Sequence, residues 1–158
     1  MSEFIIINLE FTTDYGQFYL CDKNSAQATD SADFWTAQAS ADKLAVEEGI
    51  LGVGIGKQYG TVKCELEILQ SKNHDVNFAS FDHIVEASIK IESGILQVMD
   101  CPDSLIKFET KIDVGEYRVR VYSSNLVSCY DENPNDIYRI EIWQEAFSDR
   151  IVMKRKLE

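Results

Sequence analysis

The stretch Thr61-Val62-Lys63-Cys64-Glu65-Leu66-Glu67-Ile68 alternates without a break: Val62, Cys64, Leu66 and Ile68 are apolar, while Lys63, Glu65 and Glu67 are charged. Successive side chains of a strand point to opposite faces, so this spacing predicts a strand with one face in a core and one in water. The same alternation sets Tyr117, Val119 and Val121 against Arg118 and Arg120, and Tyr138, Ile140 and Ile142 against Arg139 and Glu141. Strands patterned in this way belong to antiparallel sheets with one solvated face. Residues 4–11, 17–21, 50–55, 81–91, 95–99 and 105–112 are further candidates, with Gly16, Gly60, Gly94 and Gly115 as turn residues between them.

From Asp30 to Glu48 the period changes. Gly, Pro and alternation are absent there, and Phe34, Ala37, Ala41 and Leu44 recur at helical spacing. The segment predicts one amphipathic helix over about residues 31–48, capped by Asp30 or Ser31, with Asp33 in its first turn and Gly49 as its stop. Trp35 flanks the apolar stripe and is expected to help dock the helix on a sheet. About nine strands and one helix predict a mostly β chain: an antiparallel β-sandwich with the helix packed on an edge or end. No repeat or linker composition divides the sequence, so residues 1–158 read as a single domain, with about 145–158 as a basic C-terminal extension.

Charge narrows the partners. The 158 residues hold 27 Asp+Glu against 15 Lys+Arg, a net charge of −12. Arg150, Lys154, Arg155 and Lys156 crowd into the last nine residues, so the body before them is more acidic still. Such a chain repels a nucleic-acid backbone and an anionic membrane surface, which argues against direct binding of either. Apolar runs such as Phe4-Ile5-Ile6-Ile7 fall far short of the roughly 18 residues of a membrane span, and the N-terminus lacks the pattern of a signal peptide. A cytoplasmic location is the expectation. Cys21, Cys64, Cys101 and Cys129 form no Cys-x-x-Cys pair and have no His in ligand spacing, which fits free structural thiols better than a zinc site.

Residues suited to catalysis are few. His74 lies in a polar turn, and His83 lies within a strand, where neighbouring Asp82 points to the other face. No nucleophile elbow, zinc motif or reactive-cysteine signature is present, so an enzyme is not expected. The Gly49-to-Gly56 run lacks a phosphate-loop ending; as a strand it puts Gly52, Gly54 and Gly56 on one face, a strip open to a ring, a backbone or a partner. The longest irregular loop, Ser123 to Asp136, concentrates acids in Cys129-Tyr130-Asp131-Glu132-Asn133-Pro134-Asn135-Asp136, and Asp100 and Asp103 lie in another turn. These oxygens suit either a calcium ion or a cationic partner surface. Asp131, Glu132 and Asp136 are the first candidates for partner contact, with Asp100 and Asp103 second.

In order along the chain, Tyr15 to Leu20, the Trp35-to-Gly49 segment running into Ile50-Leu51-Gly52-Val53, Phe81 to Ile89 followed by Ile91 to Ile95, and Gly115 to Tyr122 resemble the competence protein J family. The resemblance spans most of the chain. It implies an inhibitor of a membrane-associated DNA-entry nuclease, and it carries no inhibitory residue that can be transferred by position. Resemblance and charge point the same way, because a nonspecific nuclease presents a basic groove to phosphates and an acidic domain can occupy it. The expectation is therefore an acidic inhibitor of a basic nuclease, with no cofactor. The alternatives are a calcium-dependent binding sandwich and a self-associating cytoplasmic module.

Overall fold

Alternation becomes pairing as soon as the chain is laid out. The computed structural model describes residues 5–25 and 34–156. Its strands are β1 (Ile5–Thr13), β2 (Gln17–Asp22), β3 (Leu44–Glu47), β4 (Ile50–Gly54), β5 (Gly60–Ile68), β6 (His83–Ile91), β7 (Ile95–Met99), β8 (Ile106–Lys111), β9 (Gly115–Ser124), β10 (Ile137–Gln144) and β11 (Ile151–Lys154). They form a six-stranded sheet, β1-β5-β10-β9-β6-β11, and a five-stranded sheet, β3-β4-β2-β7-β8. Phe18 and Leu20 of β2, Leu51 and Val53 of β4, and Leu96 and Val98 of β7 meet Val62 and Leu66 of β5, Val85 of β6, Val119 and Val121 of β9, and Ile140 and Ile142 of β10 in one buried core. Each is the inward-facing set of an alternating stretch, so a sandwich follows from burying both sets at once.

Four features depart from the sequence reading. Among the described residues there are eleven strands; the additions are β3, inside the predicted helix, and β11, inside the predicted extension. Pairing is not wholly antiparallel: β10 runs parallel to β5, from Tyr138 opposite Cys64 to Ile142 opposite Ile68. The long connection between them contains β6 and β9 of the same sheet and β7 and β8 of the other, and it returns the chain to the end from which β5 starts. The third departure is the helix. It covers only Ala37–Asp42, hereafter α1, with Thr36 Oγ1 accepting from the Ala39 amide and Lys43 left-handed at φ 63°. Its predicted caps at Asp30 and Ser31, and Asp33, lie outside the described residues. Leu44, counted in the helical stripe, pairs instead with Val53, and Val46 with Leu51, because β4 offers a free backbone edge.

Helix α1 lies over the outer face of the five-stranded sheet at its β3 edge, so the expected edge packing holds. Phe34 and Ala39 pack there with Tyr19, Cys21, Ile50 and Met99, and Trp35 lies against them. Gly52 makes this approach feasible, since a Cβ there would come within 2.9 Å of the Phe34 ring and 2.8 Å of Trp35. Ring packing thus fills this part of the glycine strip, and Gly56 faces Cys129 Sγ in the same manner.

The fourth departure is the outer face of the six-stranded sheet, read as solvated. Arg118 and Arg120 of β9 are each 1% exposed. Arg118 donates to the Ser148 and Asp149 carbonyls, and Arg120 to the Asn73 carbonyl, so residues 69–82 and 145–150 cover these side chains. The charges survive burial by pairing. Arg118 Nε donates to one oxygen of Glu86 at 3.0 Å, and Arg120 Nε to the other at 2.6 Å. Tyr122 donates to Glu141, which also accepts from Asn73 Nδ2 at 2.9 Å. Burial pushes the Glu86 carboxyl up, but the hydrogen bonds from Arg120 and Arg118 outweigh it and hold the group below its ordinary range.

The basic extension is part of the fold. β11 pairs with β6, and Asp42 accepts from Arg150 Nε at 2.9 Å and Arg155 Nη2 at 2.6 Å. His83 completes this latch: its Nε2 faces the Asp42 carbonyl at 2.8 Å, and its Nδ1 accepts from the Lys156 amide at 3.2 Å. That pattern needs a neutral ring, donor on one nitrogen and acceptor on the other. Burial, together with the Lys43 and Arg155 charges, holds His83 below its ordinary 6.5 despite the Asp42 carbonyl. The unfolded chain therefore takes up this proton first as the pH falls, so stability should begin to decline below about pH 6.5 and level off once folded His83 protonates. In His83→Gln, thermal denaturation across pH should lack that first decline.

Among the described residues, no helix is long and apolar enough to cross a membrane. All four cysteines are free, and burial pushes the Cys21 and Cys64 thiols up to about 12.

Candidate functional site

Strand registers bring the acidic loops of both sheets to one end of the sandwich. The Asp14 amide donates to the Cys101 carbonyl in the β7–β8 turn, the Gly16 amide to the Gln58 carbonyl in the β4–β5 loop, and Lys57 of that loop reaches Asp136. Residues 100–105 and 125–136 thus lie at the same end of the sandwich, although they belong to different sheets.

The five predicted contact residues separate into two groups. Asp131, Glu132 and Asp103 are exposed at their turns. Asp136 is 1% exposed; Lys57 Nζ meets its Oδ1 at 2.6 Å and Tyr138 Oη donates to its Oδ2 at 2.7 Å. Burial raises the Asp136 carboxyl, and the bonds from Lys57 and Tyr138 more than offset this. Asp136 is an anchor for the loop and is not free to reach a partner. Asp100 is likewise engaged, accepting from the Leu105 amide at 2.8 Å with Lys107 at 3.5 Å.

The 125–136 loop is held in shape by its own polar residues. Asp82 accepts from the Leu126 amide at 2.9 Å, Ser128 Oγ bonds the Asn125 carbonyl at 2.7 Å, and the Asn135 amide donates back to that Oγ at 2.9 Å. The result lifts Val127, 71% exposed, and Tyr130, 83% exposed, beside Asp131 and Glu132. Exposed aromatic residues next to charges are the usual anchors of protein interfaces. Sequence reasoning saw the acids of this loop and missed those two, because their exposure depends on the short 3-10 turn Leu126–Tyr130.

The structure also gathers acids at the opposite end. Glu47, Glu48 and Glu116 line a pocket of about 460 Å³ with Ser88, Lys90 and Phe147. Glu47 and Glu48 come from the end of β3 and the turn that follows it, and Glu116 from β9, so the sequence shows only a pair of these acids together. Among the described residues, no group of three or more His, Cys, Asp or Glu is arranged to hold a metal ion. His83, the best placed residue for acid–base chemistry, is 1% exposed and committed to the Asp42 latch.

Two packed β-sheets, a short helix over the outer face of the smaller one and an acidic loop end define the chain as a β-sandwich protein of a recognisable kind. The same fold occurs in the crystal structure of ComJ from Bacillus subtilis, inhibitor of the DNA degrading activity of NucA: TM-score 0.67, 16% identity, covering 92% of this chain and 99% of that one. A structure of crocagin biosynthetic gene J matches with TM-score 0.62 and 14% identity, covering 91% of this chain and 99% of that one. Comparison with family profiles and with curated proteins gives no match. At these identities the likeness shows a shared fold.

Proposed function

We propose that this protein inhibits a DNA-degrading nuclease by binding it as a protein partner and occupying its basic DNA groove. The observation that carries the reading is the match to ComJ over 92% of the chain. The net charge of −12 supports it, since an acidic body competes with phosphates for the same cations. In this reading the chain is not an enzyme, acts in the cytoplasm and makes no direct contact with nucleic acid. Asp131, Glu132 and Asp103 meet the basic groove, while Tyr130 and Val127 supply the apolar centre of the contact. Asp136 and Asp100 hold the loops in place.

The test is a DNA-degradation assay with a nonspecific nuclease encoded beside this protein. Inhibition should be stoichiometric, competitive with DNA, and weaker as salt rises through the screening range. Neutralising the exposed set, Asp131→Asn with Glu132→Gln and Asp103→Asn, should weaken inhibition about tenfold or more without changing the melting temperature. Asp136 is left out because its loss would disturb the fold. A matching triple at the other end, Glu47→Gln with Glu48→Gln and Glu116→Gln, should have little effect. If that second triple alone abolishes inhibition, the contact surface lies in the pocket between β3 and β9. No inhibition by the unmodified protein at any ratio would remove the reading altogether.

A further inference from the structure

Four strands end the two sheets, and three of them are defended against further pairing. β3 and β11 are four residues each, and β11 has a register break between Val152 and Lys154. β8 carries Lys107 and Lys111, and its pairing breaks between Val98 and Met99. Shortness, lysine and irregular register are the means by which sheet edges avoid adding a strand. β1 has none of them. It is nine residues long and pairs with β5 in unbroken register from Ile5 to Thr13. It contains no Lys or Pro, and Glu10 is its sole charge. Among the described residues no strand is hydrogen-bonded to its other side; β8 and the β7–β8 turn approach only its Thr13 end, where the Asp14 amide bonds the Cys101 carbonyl, and Ile5 and Ile6 at the other end are 50% and 48% exposed.

We infer that β1 pairs antiparallel with β1 of a second copy of this chain, about a twofold axis at Leu9, joining two six-stranded sheets into one. The strand's own sequence chooses this occupant and this register. A basic extended segment would be met by acids along the edge, and β1 offers one in nine residues. A twofold at Glu10 would set that carboxylate against itself, which destabilises a cross-strand pair. A twofold at Asn8 would overlap only seven of the nine residues of β1. At Leu9 the whole strand overlaps: Ile5 faces Thr13, Ile6 faces Thr12, Ile7 faces Phe11, and Asn8 faces Glu10. Side-chain parity is kept, so both core faces stay on one side of the joined sheet. The interface is isologous and closes at two copies.

Each copy carries −12, so the copies repel at long range. Salt screens that repulsion, and dimerisation should therefore tighten with salt, whereas the proposed nuclease inhibition weakens with it. The two readings thus fail separately.

Sedimentation velocity on the full chain from about 1 to about 100 µM, at low and moderate salt, tests the inference. Mass should rise with concentration from 18.0 kDa toward twice that value, more readily at the higher salt. Asn8→Glu places carboxylates opposite Glu10 of the other copy at two positions and should weaken the dimer about fivefold, while Asn8→Lys should strengthen it by a similar factor. Asn8 is exposed but lies opposite Glu65 of β5, so Asn8→Glu should melt slightly below the parent and Asn8→Lys slightly above it, and the dimer is read from the dependence of mass on concentration. A monomer under every condition overturns the proposal, and so does a dimer whose affinity neither Asn8 substitution moves.

Discussion

Glu86→Ala is expected to lower the unfolding free energy by about 3–5 kcal/mol, a large share of the roughly 5–15 kcal/mol that holds a domain folded. Glu86 takes a hydrogen bond on each oxygen, from Arg118 and from Arg120, and both guanidinium groups are 1% exposed. Removing the carboxylate leaves two buried cations with less compensating charge in a low-dielectric layer. Arg118 keeps Ser88 and two carbonyls, and Arg120 keeps Tyr122, Glu141 and the Asn73 carbonyl, so their hydrogen bonds are mostly retained while the charge balance is lost. Glu86→Gln should consequently lie between alanine and the parent. Urea unfolding at neutral pH provides the measurement, and a loss below about 1 kcal/mol for the alanine variant would show that the network is far better hydrated than its burial implies.

Asp42→Ala should cost about 1–2 kcal/mol, because both arginine partners are partly solvated, and its effect should be localised. Asp42 holds Gln38, Arg150 and Arg155 together at the end of α1, and it is 5% exposed. Without it Arg150 and Arg155 lose their shared carboxylate and keep only the Leu44 and Ala41 carbonyls, while the backbone pairing of β11 with β6 remains. Hydrogen exchange should accelerate across residues 150–156, and trypsin should cut earlier at Lys154 and Arg155, with the core of the six-stranded sheet still protected. Uniform acceleration over the whole chain would show that the latch is not a local element. Acid provides a second route to the same release. Burial raises the Asp42 carboxyl, but the Arg155, Gln38 and Arg150 bonds hold it below its ordinary 3.8. The stabilisation is therefore complete above that value and is lost as pH falls through the lower, folded one.

The candidate site shows why an acidic loop is hard to interpret from sequence. Asp131 and Asp136 sit five positions apart in similar company, and one is exposed while the other is sealed by Lys57, 79 residues away. No local pattern encodes that partnership. The same limit applies to Arg118 and Arg120, whose alternation with Val119 and Val121 is that of a solvated face. Their burial depends on residues 69–82 and 145–150 crossing the sheet, and on Glu86 from a different strand meeting both.

What the amino-acid sequence determined was the set of inward-facing residues. Period two in β5, β9 and β10 was enough to place Val62, Leu66, Val119, Val121, Ile140 and Ile142 in one core, and hence to require two sheets. Side-chain direction alternates with the covalent chain, so the signal is local. Tertiary structure decided everything that depends on long-range pairing: the parallel join of β10 to β5, the conversion of Leu44–Glu47 from helix to strand by the free edge of β4, and which acids remain exposed. Those outcomes rest on hydrogen bonds and charges contributed by segments distant in sequence, and a backbone edge or buried carboxylate is satisfied by whichever segment the fold brings to it.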